Sequence, residues 1–519
     1  MKTWKKWIAL SLALVMLLAL AACGDSSAPV QDGTQSPQSS ESAGPKTLTV
    51  GTLDTTDTFD PCAASSCRLG IMLVFDTVLR VNYETQEIEP CIASAWEWLD
   101  DTTLKLTIRE DAVFSNGDSL TPEDVLYSLS RFVFENDQFD PGYDNIDFDA
   151  CVIDGSDLTL KLKEIDADFL YMLANDQWAS VVNEAYVTAN PNSWWDAPCG
   201  TGPYLCEANV EGSHSSYTRR DDYWGELPDA QAITIRHYSE STTMIADFEN
   251  DVLDLALAVS ENDYLAAEDG AYGSDVQAQL FPTYDVISIQ LPEYNPVFEN
   301  AKVREAIALS INYETFTNAV YGSLGRVADS FLIDNMTYYS PVGVHPYDPD
   351  RAKELLAEAG YADGMDLLLV IPSTPSNEAA AVILQAFLRD IGINLTVESY
   401  DFATAIPILM ANGTDISIGG TGGGTYLASQ LLDTISQYNT NGAARITDPE
   451  FNGYLDAALS TLDDSVRSEQ YAAAQQWIFD HCRTLPIGYS YAATLYQGHL
   501  SNVTGLVART IDLAEIKLG

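Results

Sequence analysis

Residues able to do chemistry are plentiful in this chain of 519 residues, but their spacing argues against most reactions. The five histidines, His214, His237, His345, His481 and His499, are scattered. None stands three or four positions from another, so no helix face offers a ready imidazole pair to a metal. Cys62, Cys67, Cys91, Cys151, Cys199, Cys206 and Cys482 show no CxxC spacing, which argues against a zinc ribbon. Asp144-Asn145-Ile146-Asp147-Phe148-Asp149 lacks the glycine and the closing glutamate of a calcium loop and reads as a solvated acidic loop. Gly488-Tyr489-Ser490-Tyr491-Ala492 resembles a nucleophile elbow only loosely, because the last glycine is missing and no triad order accompanies it. With 76 acids, some carboxylate pair will stand at glycosidase separation by chance. No catalytic residue, no metal and no cofactor is expected.

One segment suits binding better than reaction. Asp415-Ile416-Ser417-Ile418 reads as a strand entering Gly419-Gly420-Thr421-Gly422-Gly423-Gly424-Thr425-Tyr426. Glycines let the backbone approach a ligand and reach positive φ. The run fits GxGxxG in no register and has no GK[ST], so a nucleotide site is disfavoured. Its two readings are a ligand-facing loop and a flexible surface turn. Trp194-Trp195 is either an exposed aromatic platform or a packing anchor before the turn at Gly200, and the anchor fits better.

The elements that must position such features are legible in places. Leu104, Leu106 and Ile108 alternate with Lys105 and Thr107, a half-buried strand. Leu158 to Leu162 alternates in the same way. Thr121 is an N-cap, Pro122 takes the first helical position and Asp124 stands in the acidic place of a capping box. Val125, Leu126, Leu129, Phe132 and Val133 then form one helical stripe. Ala301 to Leu309 and the run opened by Asp348-Pro349 are further helices, the second ended by Gly360. No repeat of solenoid or propeller period is present.

The first 22 residues carry Lys2, Lys5 and Lys6, then an apolar stretch from Ile8 to Leu20. That stretch is shorter than the roughly 20 residues a spanning helix needs. It reads as a signal peptide over residues 1–22. Leu20-Ala21-Ala22-Cys23-Gly24 resembles a bacterial lipobox, which implies cleavage before Cys23 and a lipid on its sulfur. Gly24 to Pro45 is almost wholly Ser, Gln, Gly, Pro, Ala and acid, and residues 23–45 read as a lipidated disordered linker of roughly 25 Å reach. The remainder is too long for one core and predicts two or three domains. The formal charge is −51, and −54 without the first 22 residues, which hold three lysines and no acid. Such a field repels nucleic acid and anionic headgroups and favours a neutral or cationic ligand. With Cys23 lipidated, seven cysteines remain, an odd number. Cys62/Cys67 and Cys199/Cys206 are the nearest pairs in sequence, and the pairing stays open.

Five blocks, in order, resemble the solute-binding proteins of ABC importers for peptides, nickel and related solutes, the bacterial extracellular solute-binding protein family 5. They are Leu73 to Leu79 with Ile88 to Trp96; Leu106 to Gly117 running on through Leu120-Thr121-Pro122-Glu123-Asp124-Val125; Gly200-Thr201-Gly202-Pro203-Tyr204; Phe298 with Val303 to Asn312; and Tyr347 to Tyr361. The resemblance implies an α/β, two-lobed periplasmic-binding-protein-like fold (type II, the large three-domain variant) with a hinge and a cleft. Lobe I would hold residues 46–75, 199–290 and 500–519, with 76–198 as an extra subdomain on it, and lobe II residues 291–499. The partners implied are a small-molecule or peptide ligand and an ABC permease with its ATPase. A monomer tethered to the membrane through Cys23 is expected, on the outer face of a cell or in a periplasm. Trp178, Tyr284, Tyr426, Tyr489 and Tyr491 fall in segments matching cleft-facing parts of the family. With Thr421, Gly422, Gly423 and Gly424 they are the candidate ligand residues. Asp60-Pro61 matches a structural turn near the cleft. Peptide-binding relatives carry an acid in the loop that here is Gly and Thr, so an anchor for a free amino terminus is in doubt. The rival readings are a secreted carboxylate-dependent hydrolase and a sensor lipoprotein of the same fold.

Overall fold

Leu48 and Val50 are fully buried, and their alternation with half-buried Thr49 makes Thr47–Thr52 a strand. It is the centre of the largest sheet in the computed structural model, which describes residues 46–63, 68–82, 85–136, 141–422, 427–437, 439, 445–505 and 511–519. Ala232–His237 and Leu255–Val259 lie parallel on its two sides. Beyond the first come His214–Arg219 and Tyr204–Val210, both antiparallel. Beyond the second come two long strands, Thr484–Gln497 and Val276–Gln290, and then Ser417–Gly422. Gly325–Val327 adds to Thr484–Gln497 off this path.

The two long strands change neighbours halfway. Val276 to Pro282 pairs with Tyr491 to Gln497, and Val286 to Gln290 pairs with Thr484 to Tyr489. The register breaks between Pro282 and Val286. Proline has no N–H for the ladder, which suits a break there. On the first side of the break the outer neighbour is Leu255–Val259; on the second it is Ser417–Gly422 and Gly325–Val327.

Separate cores flank the break. One packs Leu48, Val50, Phe59, Tyr204, Tyr217 and Ile235 with Ile511 to Leu518. Another packs Ile287 and Ile289 with the helices Ala301–Ser310, Pro349–Glu358 and Pro375–Asp390 and the parallel pair Met365–Pro372 and Ile393–Tyr400. A third joins the four-stranded sheet built from Ala93–Asp100, Thr103–Ile108, Asp157–Lys161 and Val152–Asp154 to residues 328–336 and 427–478.

The helix Pro122–Phe134 begins as its sequence predicts. The Asp124 amide donates to the Thr121 hydroxyl, and the Thr121 amide donates back to the Asp124 carboxylate at 2.9 Å. Trp194 is 2% exposed, with the Arg131 guanidinium 5.0 Å from its ring centre, so it is a packing anchor. Arg131 also grips Asp60 through both nitrogens at 3.0 and 2.8 Å, which fixes the turn at Asp60-Pro61. Cys62, Cys91, Cys151, Cys199, Cys206 and Cys482 are free thiols, so Cys199 and Cys206 do not pair. Cys23 and Cys67 lie outside the described residues. No described helix is long and apolar enough to cross a membrane.

Candidate functional site

The glycine run does not leave its strand where the pattern suggests. The strand spans Ser417–Gly422, so Gly419 and Gly420 sit inside the ladder, opposite Ser288 and Ile287. The partner strand supplies hydrogen bonds that the local sequence does not ask for, and glycine has no side chain to resist pairing. Thr421 stands opposite Val286 and Gly422 opposite Asp285. The last described residue of this strand, Gly422, therefore stands beside the register break. Gly423, Gly424 and Tyr426 lie outside the described residues.

The break gathers most of the remaining candidates. Tyr284 is within it, 5% exposed, with φ of 59°, an uncommon backbone state for a bulky residue. Burial pushes its phenol up to about 12, opposed by a hydrogen bond with the Gln86 side chain. Tyr489 pairs with Val286, and Tyr491 with Pro282. Tyr489 is 1% exposed. Its hydroxyl lies 2.9 Å from the carbonyl oxygens of both Ser330 and Leu332 and accepts from the Ser330 amide at 3.1 Å. In this state it fastens residues 330–332 to the strand. Tyr491 is half-buried, and burial pushes its phenol up while Arg326 pulls it down. Trp178 is brought to the same core from a different segment, half-buried, with the Arg68 guanidinium 5.9 Å from its ring centre.

A hydroxyl pair bridges the two strands at the break. The Thr283 hydroxyl donates to the Ser490 carbonyl at 3.0 Å and also meets the Ser490 hydroxyl. Ser490 is 7% exposed and lies in mid-strand, not on a strand-to-helix turn. The elbow that a serine nucleophile needs is not formed.

Sequence reasoning missed the contacts that hold the third core together around this region. Gln86 meets the Asn335 carbonyl, and its side-chain oxygen accepts from the Thr337 amide at 2.9 Å and the Thr337 hydroxyl at 2.6 Å. Asp168 takes Arg467 on one oxygen and the Ser429 hydroxyl on the other, with both charged side chains at most 7% exposed. Tyr338 and Tyr471 flank that guanidinium at 5.0 and 5.8 Å. Burial, then the neighbouring Asp168, pushes Asp166 up to about 6. Burial pushes Asp433 up to about 6 as well, eased by the Ser436 hydroxyl. Nothing local in the sequence marks Gln86, Asp168 or Arg467.

Comparison with known proteins agrees with this architecture. The model of the family described as "Bacterial extracellular solute-binding proteins, family 5 Middle" matches residues 87–443. The chain is 24% identical to heme-binding protein A of Haemophilus influenzae, over 91% of its own length and 92% of that protein. It is 24% identical to a dipeptide-binding protein of Pseudomonas aeruginosa, over 80% of its length and 83% of that protein. A dipeptide-binding protein from a Pseudoalteromonas species, solved with Met-Leu, superposes with a TM-score of 0.75 at 23% identity, covering 91% of this chain and all of that one. The fold is the two-lobed α/β fold of periplasmic binding proteins.

Proposed function

From the premise that this chain belongs to the bacterial extracellular solute-binding proteins of family 5, we propose that it captures a short peptide between two lobes and hands it to an ABC importer. One observation carries the reading. The two long strands exchange their outer neighbours across the break at Pro282 to Val286, and five candidate ligand residues stand at or beside that break. A strand pair of this kind can flex without tearing either core, and ligand shifts the population toward the closed form. The dipeptide-binding relative supports a peptide; the heme-binding relative shows that the family's scaffold serves other solutes.

In this reading lobe I comprises residues 46–75, 199–290 and 500–519, lobe II residues 291–499, and 76–198 form a subdomain. Tyr284, Thr421, Gly422 and Tyr491 contact the ligand, with Trp178 and the segment through Gly423, Gly424 and Tyr426 completing the wall. Tyr489 supports them from behind. The protein acts as a monomer, held to the membrane by a lipid on Cys23. It performs no chemistry on the ligand.

The test is mass spectrometry of solute released from natively purified protein, followed by thermal melting with the synthetic compound. Ligand stabilises by RT ln(1 + [L]/Kd), so a saturable rise in Tm with the compound recovered intact supports the reading. Cleavage of the compound, or a non-peptide as the sole retained solute, sinks it. N-acetylated and free peptides of one sequence should raise Tm alike, because the described part of the glycine strand presents no carboxylate for an amino terminus.

A further inference from the structure

A cavity with no lining residue from the break lies among residues 72–228 and 512–515. Its volume is about 270 Å³, and none of its lining comes from residues 229 to 511. Lobe II in the reading above therefore contributes nothing to it. Ligand pockets run about 300–1,000 Å³, so this one suits a single small molecule.

Arg80 lines this cavity, and among the described residues no hydrogen bond or ion pair engages its guanidinium, while the Asp512 and Asp76 carboxylates act on it through space. Five acids line the cavity with it, Asp76, Asp176, Glu226, Asp512 and Glu515, and the direct contacts their side chains make go to other groups, Glu226 to Lys517 at 3.6 Å. Asp76 accepts from the Tyr223 hydroxyl at 2.9 Å and the Trp224 indole at 2.8 Å. Asp512 accepts from the Ala514 amide at 3.0 Å. Asp176, 8% exposed, gives one oxygen to Arg68 at 3.2 Å and leaves Oδ2 buried with no partner. The Arg109 guanidinium stacks 3.4 Å from the Trp224 ring centre and stiffens that wall. Met72, Phe75 and Val81 supply apolar lining.

An unpaired guanidinium and an incompletely paired carboxylate in one small apolar-lined cavity match a molecule with a charge at each end. A guanidinium binds a carboxylate in bidentate fashion, and a surplus of acid attracts an ammonium. We propose that this cavity binds a free α-amino acid with an apolar side chain, its carboxylate on Arg80 and its amine held by the Asp176 and Asp512 carboxylates. The site is separate from the interlobe cleft and does not depend on what the cleft takes.

Titration calorimetry on the full chain tests this with L-leucine, L-leucinamide and 4-methylpentanoate. Leucine should bind saturably, and the two analogues, each missing one charge, at least about tenfold more weakly. Arg80→Gln, which breaks no hydrogen bond or ion pair among the described residues, should weaken leucine by a similar factor while leaving the Tm shift with peptide unchanged. No heat with leucine at millimolar concentration overturns the proposal. So does leucine binding that survives Arg80→Gln, since the amino acid then sits elsewhere, or 4-methylpentanoate binding as tightly as leucine.

Discussion

Asp168 and Arg467, 299 residues apart in the chain, form a buried ion pair that ties the residues around the Asp157–Lys161 sheet to the helix Asp464–His481. The Ser429 hydroxyl completes the carboxylate. Removing one partner from such a pair leaves a buried charge without compensation, which costs about 3–5 kcal/mol. Arg467→Met should lower stability by that order in urea unfolding, and small-angle scattering should show a larger radius of gyration. Adding Asp168→Asn to it should recover much of the loss. An unchanged radius in the single variant would show that the pair does not govern how these two segments are held together.

Asp433 and Asp166 give a pH dependence with a definite sign. Both carboxyls are pushed up to about 6 by burial, from an ordinary 3.8. The folded protein therefore holds protons that the unfolded chain has lost. Their contribution to stability is full below pH 3.8 and is lost as pH rises through about 6. His237 and His345, held low by burial, act in the opposite direction, so a variant is needed to isolate the carboxyls. Asp433→Asn should melt above the unmodified protein at about pH 8, with the gap narrowing toward about pH 4.5. A gap independent of pH would contradict this.

The turn at Gly200 tolerates no side chain. A Cβ there would lie 2.0 Å from the Val74 carbonyl oxygen, and one on Gly202 would lie 2.6 Å from the Val74 carbonyl carbon. The Gly202 amide donates to that oxygen at 2.9 Å, so the close approach is bonded. Overpacking of this kind costs about 1–3 kcal/mol or more. Gly200→Ala should fall in that range or fail to accumulate, whereas Gly212→Ala, at a positive φ but with open space around it, should lose less. Equal losses would show that backbone conformation, not contact, governs the turn.

Thr283 is the hydroxyl at the register break. Thr283→Val keeps shape but removes the donor to Ser490 and the acceptor for the Asp285 amide at 3.3 Å. A loss of about 1–3 kcal/mol is expected for the orphaned partners. Because the bond spans the break, ligand affinity should change along with stability. Peptide calorimetry on the variant checks this, and unaltered affinity would place the flexing point elsewhere.

What the sequence by itself determined is local. The capping box at Thr121 and Asp124, the alternation from Leu104 to Ile108 and the proline-opened helix after Asp348 depend on neighbours within a few positions, and each appears as its pattern predicts. The blocks shared with family 5 carried the fold, because a scaffold is written along its whole length. Tertiary structure decided the rest. Gly419 and Gly420 are strand because Ile287 and Ser288 offer a ladder. Tyr489 and Tyr491 differ by two positions and share a strand face, yet one is sealed by the carbonyls of Ser330 and Leu332 and the other stays half-open. Asp168 meets Arg467, and Arg80 goes unpaired, through chain closures of tens to hundreds of residues. No local propensity records such meetings; they follow from which surfaces pack once the cores have formed.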